Sequence, residues 1–131
     1  MGTKTREVRS EAAPRPVGPY SQAVVSQGFV FASGQVPLDP ATNALVPGEI
    51  EVQTDRVIAN LRAVLEAAGS SLDRVVRTTV YLADLGLFGR MNEVYGRHFR
   101  TEPKPARSTI QAARLPLGAA IEIDAIATLD E

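Results

Sequence analysis

The 131-residue chain carries 14 basic and 15 acidic side chains, a formal net charge of −1, with 44% hydrophobic and 22% charged residues. That is globular composition for one domain, residues 1–131, without the cationic excess that draws a protein to nucleic acid or an anionic membrane. Having no cysteine rules out disulfides, thiolate nucleophiles and Cys-based zinc motifs, and one histidine, His98, rules out a multi-histidine metal centre.

After a polar start, residues 6–9 offer a short extra strand. Pro14, Pro16 and Pro19 with Gly18 then make a stiff, irregular segment ending at Tyr20-Ser21-Gln22. Two β-branched or aromatic runs, residues 23–26 and 29–34, flank Gln27-Gly28 and read as a hairpin closed by Pro37, Asp39 and Pro40. From residue 50 to 68, Val57, Ile58, Leu61, Val64, Leu65 and Ala68 recur at helical spacing, and Gly69 stops the helix. Residues 74–82 alternate as a strand, with Val76, Thr78, Val80 and Leu82 on one side and Val75, Arg77, Thr79 and Tyr81 on the other. Asp84 is placed to cap a second helix, residues 87–99, in which His98 is a surface or partly packed residue. Glu102-Pro103-Lys104-Pro105 breaks the chain before two final strands.

The order ββ-α-β-α-ββ is an α+β layer fold, two helices packed on one face of a mostly antiparallel sheet. Nothing remains to cover the opposite face, whose strands still carry apolar side chains, so burial against other copies of the chain is expected. No apolar run approaches the ~20 residues of a bilayer span, and the polar first ten residues do not read as a signal peptide. A soluble, cytoplasmic homo-oligomer that does not enter the membrane is therefore expected.

Arg107, within Pro105-Ala106-Arg107-Ser108, places a permanent cation in a strand, and Glu122 places an acid between isoleucines in the next. Together they suit a carboxylate clamp and a proton carrier, or equally an internal salt bridge holding two strands in register. Spacing does not settle whether the two strands pair directly or belong to different subunits. Tyr20 either presents its ring to a pocket or plugs a sheet edge. Ser33-Gly34 is either a turn or a close approach for a ligand. Asn92 either faces solvent or reaches into a cleft. No Gly-rich phosphate loop and no Ser-His-Asp set is present, which leaves acid–base chemistry on a bound anion.

The chain resembles the YjgF/RidA family of reactive intermediate imine/enamine deaminases over nearly its whole length. The resemblance lies in Gly18-Pro19-Tyr20-Ser21-Gln22-Ala23, Ser33-Gly34-Gln35-Val36-Pro37, Thr79-Val80-Tyr81-Leu82-Ala83-Asp84, Met91-Asn92-Glu93-Val94-Tyr95, Pro105-Ala106-Arg107-Ser108 and Ile121-Glu122-Ile123. It implies a chorismate-mutase-like fold and a homotrimer with sites at the subunit interfaces. The activity it implies is hydrolysis of 2-imino acids or their enamine tautomers, such as 2-aminoacrylate, to 2-keto acids and ammonia, with no metal or cofactor. Carried over, Arg107 grips the substrate carboxylate and Glu122 positions or activates water. Tyr20, Ser33, Gly34, Asn92 and Thr109 line the substrate site. Thr109 stands where some relatives have cysteine, Asp124 replaces a commoner glutamate, and Arg15-Pro16 is unusual at the pocket rim. The alternatives implied by other relatives are a non-catalytic ligand-binding or chaperone-like trimer and an RNA-acting translation inhibitor, the latter disfavoured by the near-neutral charge.

Overall fold

The computed structural model describes residues 4–129. Its first strands are β1 (Arg6–Val8), β2 (Ala23–Ser26) and β3 (Phe29–Gln35), joined antiparallel in that order. The β2–β3 turn holds Gln27 at φ +54° and Gly28 at φ +80°. Both central residues are left-handed, the two-residue geometry whose twist matches the flanking strands. A small ribbon follows, β4 (Leu38–Asp39) against β5 (Ala44–Leu45), where the sequence indicated only a strand ending at prolines.

Helix α1 (Ile50–Ala67) buries Val57, Ile58, Leu61, Val64 and Leu65 along one stripe. It ends as its sequence requires. Gly69 takes φ +91°, its N–H donates to the Glu66 carbonyl at 3.0 Å, and the Ser70 N–H donates to the Leu65 carbonyl at 2.9 Å. Those paired bonds satisfy carbonyls the helix leaves open.

Strand β6 (Val75–Leu82) corrects one expectation. Its pairing with β8 (Ile121–Thr128) slips between Val75 and Arg77, so Val75 is buried with Thr78, Val80 and Leu82 while Val76 is turned outward. Strict alternation from Val76 assumed an uninterrupted ladder; the irregularity reverses the facing before Thr78. Asp84 caps a 3₁₀ turn rather than the helix itself. Its carboxylate accepts from the Gly86 N–H at 2.8 Å, and α2 (Phe88–His98) begins after that turn.

The strand β7 (Ala106–Gln111) completes a six-stranded sheet in the order β1-β2-β3-β8-β6-β7, antiparallel except for the β6–β7 pair. Both helices pack on one face, where Val30, Val80, Leu82, Ile121 and Ile123 are fully buried. Most buried polar groups find local partners, the Thr54 hydroxyl being an exception. Thr78 and Tyr95 share a 2.7 Å hydroxyl bond, and the buried Asn60 amide donates to the Leu38 carbonyl at 2.9 Å. His98 is partly packed and joins the helices through Nε2 to Asp55 Oδ1 at 2.7 Å. The other sheet face is open and apolar in places: Phe29 and Phe31 remain 40% and 42% exposed. Among the described residues, no helix is long and apolar enough to cross a membrane.

Candidate active site

Strand order settles how the two charged strands relate. β6 lies between β7 and β8, so Arg107 and Glu122 are on strands that do not pair. Arg107 is registered with Thr78 and Thr109 with Val80, while Glu122 is registered with Tyr81. Registered neighbours share a face. Thr78 and Val80 are buried beneath the helices, so Arg107 and Thr109 stand on the helix side and Glu122 on the open side. Within one chain, an Arg107–Glu122 salt bridge is excluded by the sheet itself.

On the helix side, Arg107 Nη1 donates to Asn92 Oδ1 at 2.7 Å. Its guanidinium lies 4.7 Å from the Tyr95 ring centre and 5.5 Å from that of Phe88. Aromatic faces attract a cation and fix its plane. Burial pushes the Tyr95 phenol up, against the opposing effects of its Thr78 hydrogen bond and the Arg107 charge. The strand that carries this charge is not an interior one: β7 is a sheet edge and Arg107 is only half-buried. An edge position removes the need for an internal counter-ion and leaves most of the donor fork presentable to a ligand. Asn92 is thus a support for the guanidinium, facing solvent beside it.

The open side gathers the other candidates. Arg15, Val17, Tyr20, Ser33, Gly34 and Glu122 border one cavity of about 530 Å³, together with Pro116 and Leu117. The β3–β8 register shifts between Ala32 and Gln35, so Ser33 and Gly34 form an outward step in the ladder. The Glu122 carboxylate lies directly over that step. A Cβ at residue 34 would stand 1.9 Å from Oε2, so any side chain there would have to push the carboxylate out of place. Ser33 is anchored behind the step, its hydroxyl donating to the Ser21 carbonyl at 2.6 Å and its N–H to the Gln22 carbonyl at 2.9 Å. That leaves the Ser33 oxygen as an acceptor. Tyr20 accepts from the Val17 N–H at 3.3 Å, so its own hydroxyl proton can be offered to a ligand.

Burial, helped by the neighbouring Asp124 charge, raises Glu122 above the usual glutamate range. Asp124 in turn accepts from the Tyr81 hydroxyl at 3.2 Å, and burial followed by the Asp124 charge raises that phenol. Sequence reading noted Asp124 only as the replacement of a commoner glutamate and gave Tyr81 no role. Their link was visible only as two polar residues on alternating strands. Leu117, left-handed at φ +60° within the Leu-Pro-Leu-Gly turn, is a further wall residue that the sequence pattern did not single out. Among the described residues, no group of three or more histidines and carboxylates is arranged to hold a metal ion.

Residues 10–129 match the family described as Endoribonuclease L-PSP. A RutC family protein of Pyrococcus abyssi is 52% identical over 118 residues, spanning 90% of this chain and 92% of that one. The chain belongs to the Rid/RutC (YjgF) family. Reactive Intermediate Deaminase A, chloroplastic, of Arabidopsis thaliana is 47% identical to this Rid chain over 126 residues, 96% of this chain and 67% of its own length. Among solved structures, that of E. coli TdcF with bound serine overlays at a TM-score of 0.89 with 36% identity, covering 95% and 99% of the two chains. The α+β layer seen here is therefore the Rid fold.

Proposed function

We propose that the chain hydrolyses 2-imino acids and their enamine tautomers, 2-aminoacrylate among them, to 2-keto acids and ammonia. It does so as a homotrimer whose sites form where the β7 edge of one copy meets the open face of another. The observation that carries this reading is the split itself: the cation and the acid lie on opposite faces of one sheet. The open face also keeps large apolar side chains, Phe29 and Phe31, that a second copy would cover. The names of the Arabidopsis relative and of serine-bound TdcF support a small amino-acid-derived substrate and deamination.

In this mechanism Arg107 takes the substrate carboxylate through its fork, a contact worth about 1.5–3 kcal/mol. That places the C=N carbon over the Ser33-Gly34 step, beside Glu122. Water adds to the protonated imine carbon while the Glu122 carboxylate accepts a proton from it. The tetrahedral carbinolamine then collapses: Glu122 returns its proton to the amino nitrogen, the C–N bond breaks to release ammonia, and the hydroxyl proton passes back to the Glu122 carboxylate as the C=O of the keto acid forms. An acid held above the usual glutamate range is suited to these transfers. Tyr20 donates its hydroxyl proton to the bound substrate.

The test is complementation. Arg107→Ala and Glu122→Gln chains, each nearly inactive alone, are unfolded together in equal amounts and refolded. Imines are generated in situ by an amino-acid oxidase, and the residual imine is trapped with semicarbazide. Sites drawing their two halves from different copies regain about one quarter of wild-type turnover in the mixture. No recovery overturns the shared site, and a wild-type chain that does not speed imine loss overturns the activity.

A further inference from the structure

We infer that Arg15 is a second anion-recognising residue at the mouth of the Glu122 cavity, selecting imino acids that carry another carboxylate on their side chain. This rests on the deaminase reading above. Among the described residues Arg15 is the one cation bordering that cavity; Val17, Val36, Leu38, Pro116 and Leu117 make the rest of the wall largely apolar. Arg15 also borders a neighbouring recess of about 700 Å³, and Tyr20 is common to both. The residue thus stands where the two spaces meet.

Its backbone is fixed on both sides. The Arg15 N–H donates to Asn43 Oδ1 at 3.0 Å, and Asn43 Nδ2 donates to the Arg15 carbonyl at 3.1 Å. Asn43 holds φ +59° to do so, and Pro14 and Pro16 restrict the chain on either side. A side-chain amide that grips both polar groups of one residue fixes that residue's position and leaves its side chain uncommitted. Among the described residues the Arg15 guanidinium forms no ion pair, with Glu122 or any other acid.

These facts sort substrates by charge. Once Arg107 holds the α-carboxylate and Glu122 faces the imine carbon, the substrate side chain meets apolar wall and Arg15. A short aliphatic side chain gains only apolar contact there. A side chain ending in a carboxylate reaches an unpaired guanidinium, with a charge-assisted hydrogen bond in place of one to water. Because Arg15 is exposed, water and salt compete, and the preference is modest.

The experiment compares kcat/KM for 2-iminoglutarate and 2-iminosuccinate with that for 2-iminobutyrate, each made in situ from the amino acid. The reading is the dicarboxylic-to-neutral ratio in wild type, Arg15→Ala and Arg15→Glu. Arg15→Ala lowers that ratio about twofold to fivefold, Arg15→Glu lowers it further, and added salt moves the wild-type ratio toward that of Arg15→Ala. A merely structural role would slow both substrates alike and leave the ratio untouched, which overturns the inference while the deaminase reading stands. If no imine is turned over, the deaminase reading fails and calorimetry decides the subsite. Binding of 2-oxoglutarate tighter than 2-oxobutyrate, lost in Arg15→Ala, sustains it; equal binding of the two overturns it.

Discussion

Glu122 and Arg107 are separated by a single strand, yet one lies in a walled recess and the other rides on two aromatic rings at an open edge. The recess raises its acid by burial, and the edge leaves its cation half in water. Each environment suits its occupant. A carboxyl group needs low polarity to carry protons near neutral pH, whereas a guanidinium stays charged regardless and needs only to be aimed. Dividing them between two faces keeps either from neutralising the other within one chain.

The comparison breaks most severely at Gly34. A methyl group there collides not only with Glu122 Oε2 but with Cδ at 2.8 Å, so the whole carboxyl arm must swing away. Gly34→Ala is expected to cut kcat for imine hydrolysis by about 10²–10⁴-fold, the span of a lost general acid–base group. Because the displaced group is a side chain, the melting temperature should move little. A large drop in stability with proportionate loss of activity would instead mark Gly34 as structural.

The edge half yields a smaller effect. Arg107→Ala removes the carboxylate contact and should lower kcat/KM about 10- to 100-fold, from the free energy of a charge-assisted hydrogen bond. Arg107→Lys restores charge without the planar fork, and its ammonium cannot both serve Asn92 and grip a carboxylate in two places. Its kcat/KM should fall between the other two. Equal activity for Lys and Arg would show that only charge matters at this edge and that the ring-stacked geometry is incidental.

How much of this was legible depended on range. The hairpin turn at Gln27-Gly28, the α1 stripe and its Gly69 stop were all readable because local backbone chemistry determines them. Thr109 and Arg107 could be put on one side of their strand by alternation alone. Which side of the sheet that was could not be read, since it depends on β7 joining the edge of β6 in parallel, a pairing between segments almost thirty residues apart. The slip at Val76 was hidden for a related reason: a bulge is a property of two strands and leaves no mark in one. The candidate site was legible as a set of residues through family resemblance, but not as two half-sites. Asp124 shows the difference, for its influence on Glu122 and Tyr81 comes from cross-strand register and shared burial.

The gentlest test of the recess is thermodynamic. Burial first, and Asp124 second, hold the folded Glu122 pKa above its unfolded value. The folded chain therefore keeps this proton to higher pH than the unfolded chain does. The stabilising contribution of the protonated form is fully present below the ordinary glutamate pKa of about 4.3 and is lost as pH rises through the raised folded value. Glu122→Gln removes the charge without removing the shape, so thermal scans should find it more stable than wild type at pH 7 and nearly equal at pH 4. The same variant loses turnover, which sets stability against activity at a single carboxyl group. Asp124→Asn withdraws only the second cause, so it should shift the acid limb of the wild-type pH–rate profile downward by a smaller amount. If Glu122→Gln is no more stable at pH 7 than at pH 4 relative to wild type, burial does not raise this acid and the recess is wetter than its walls suggest.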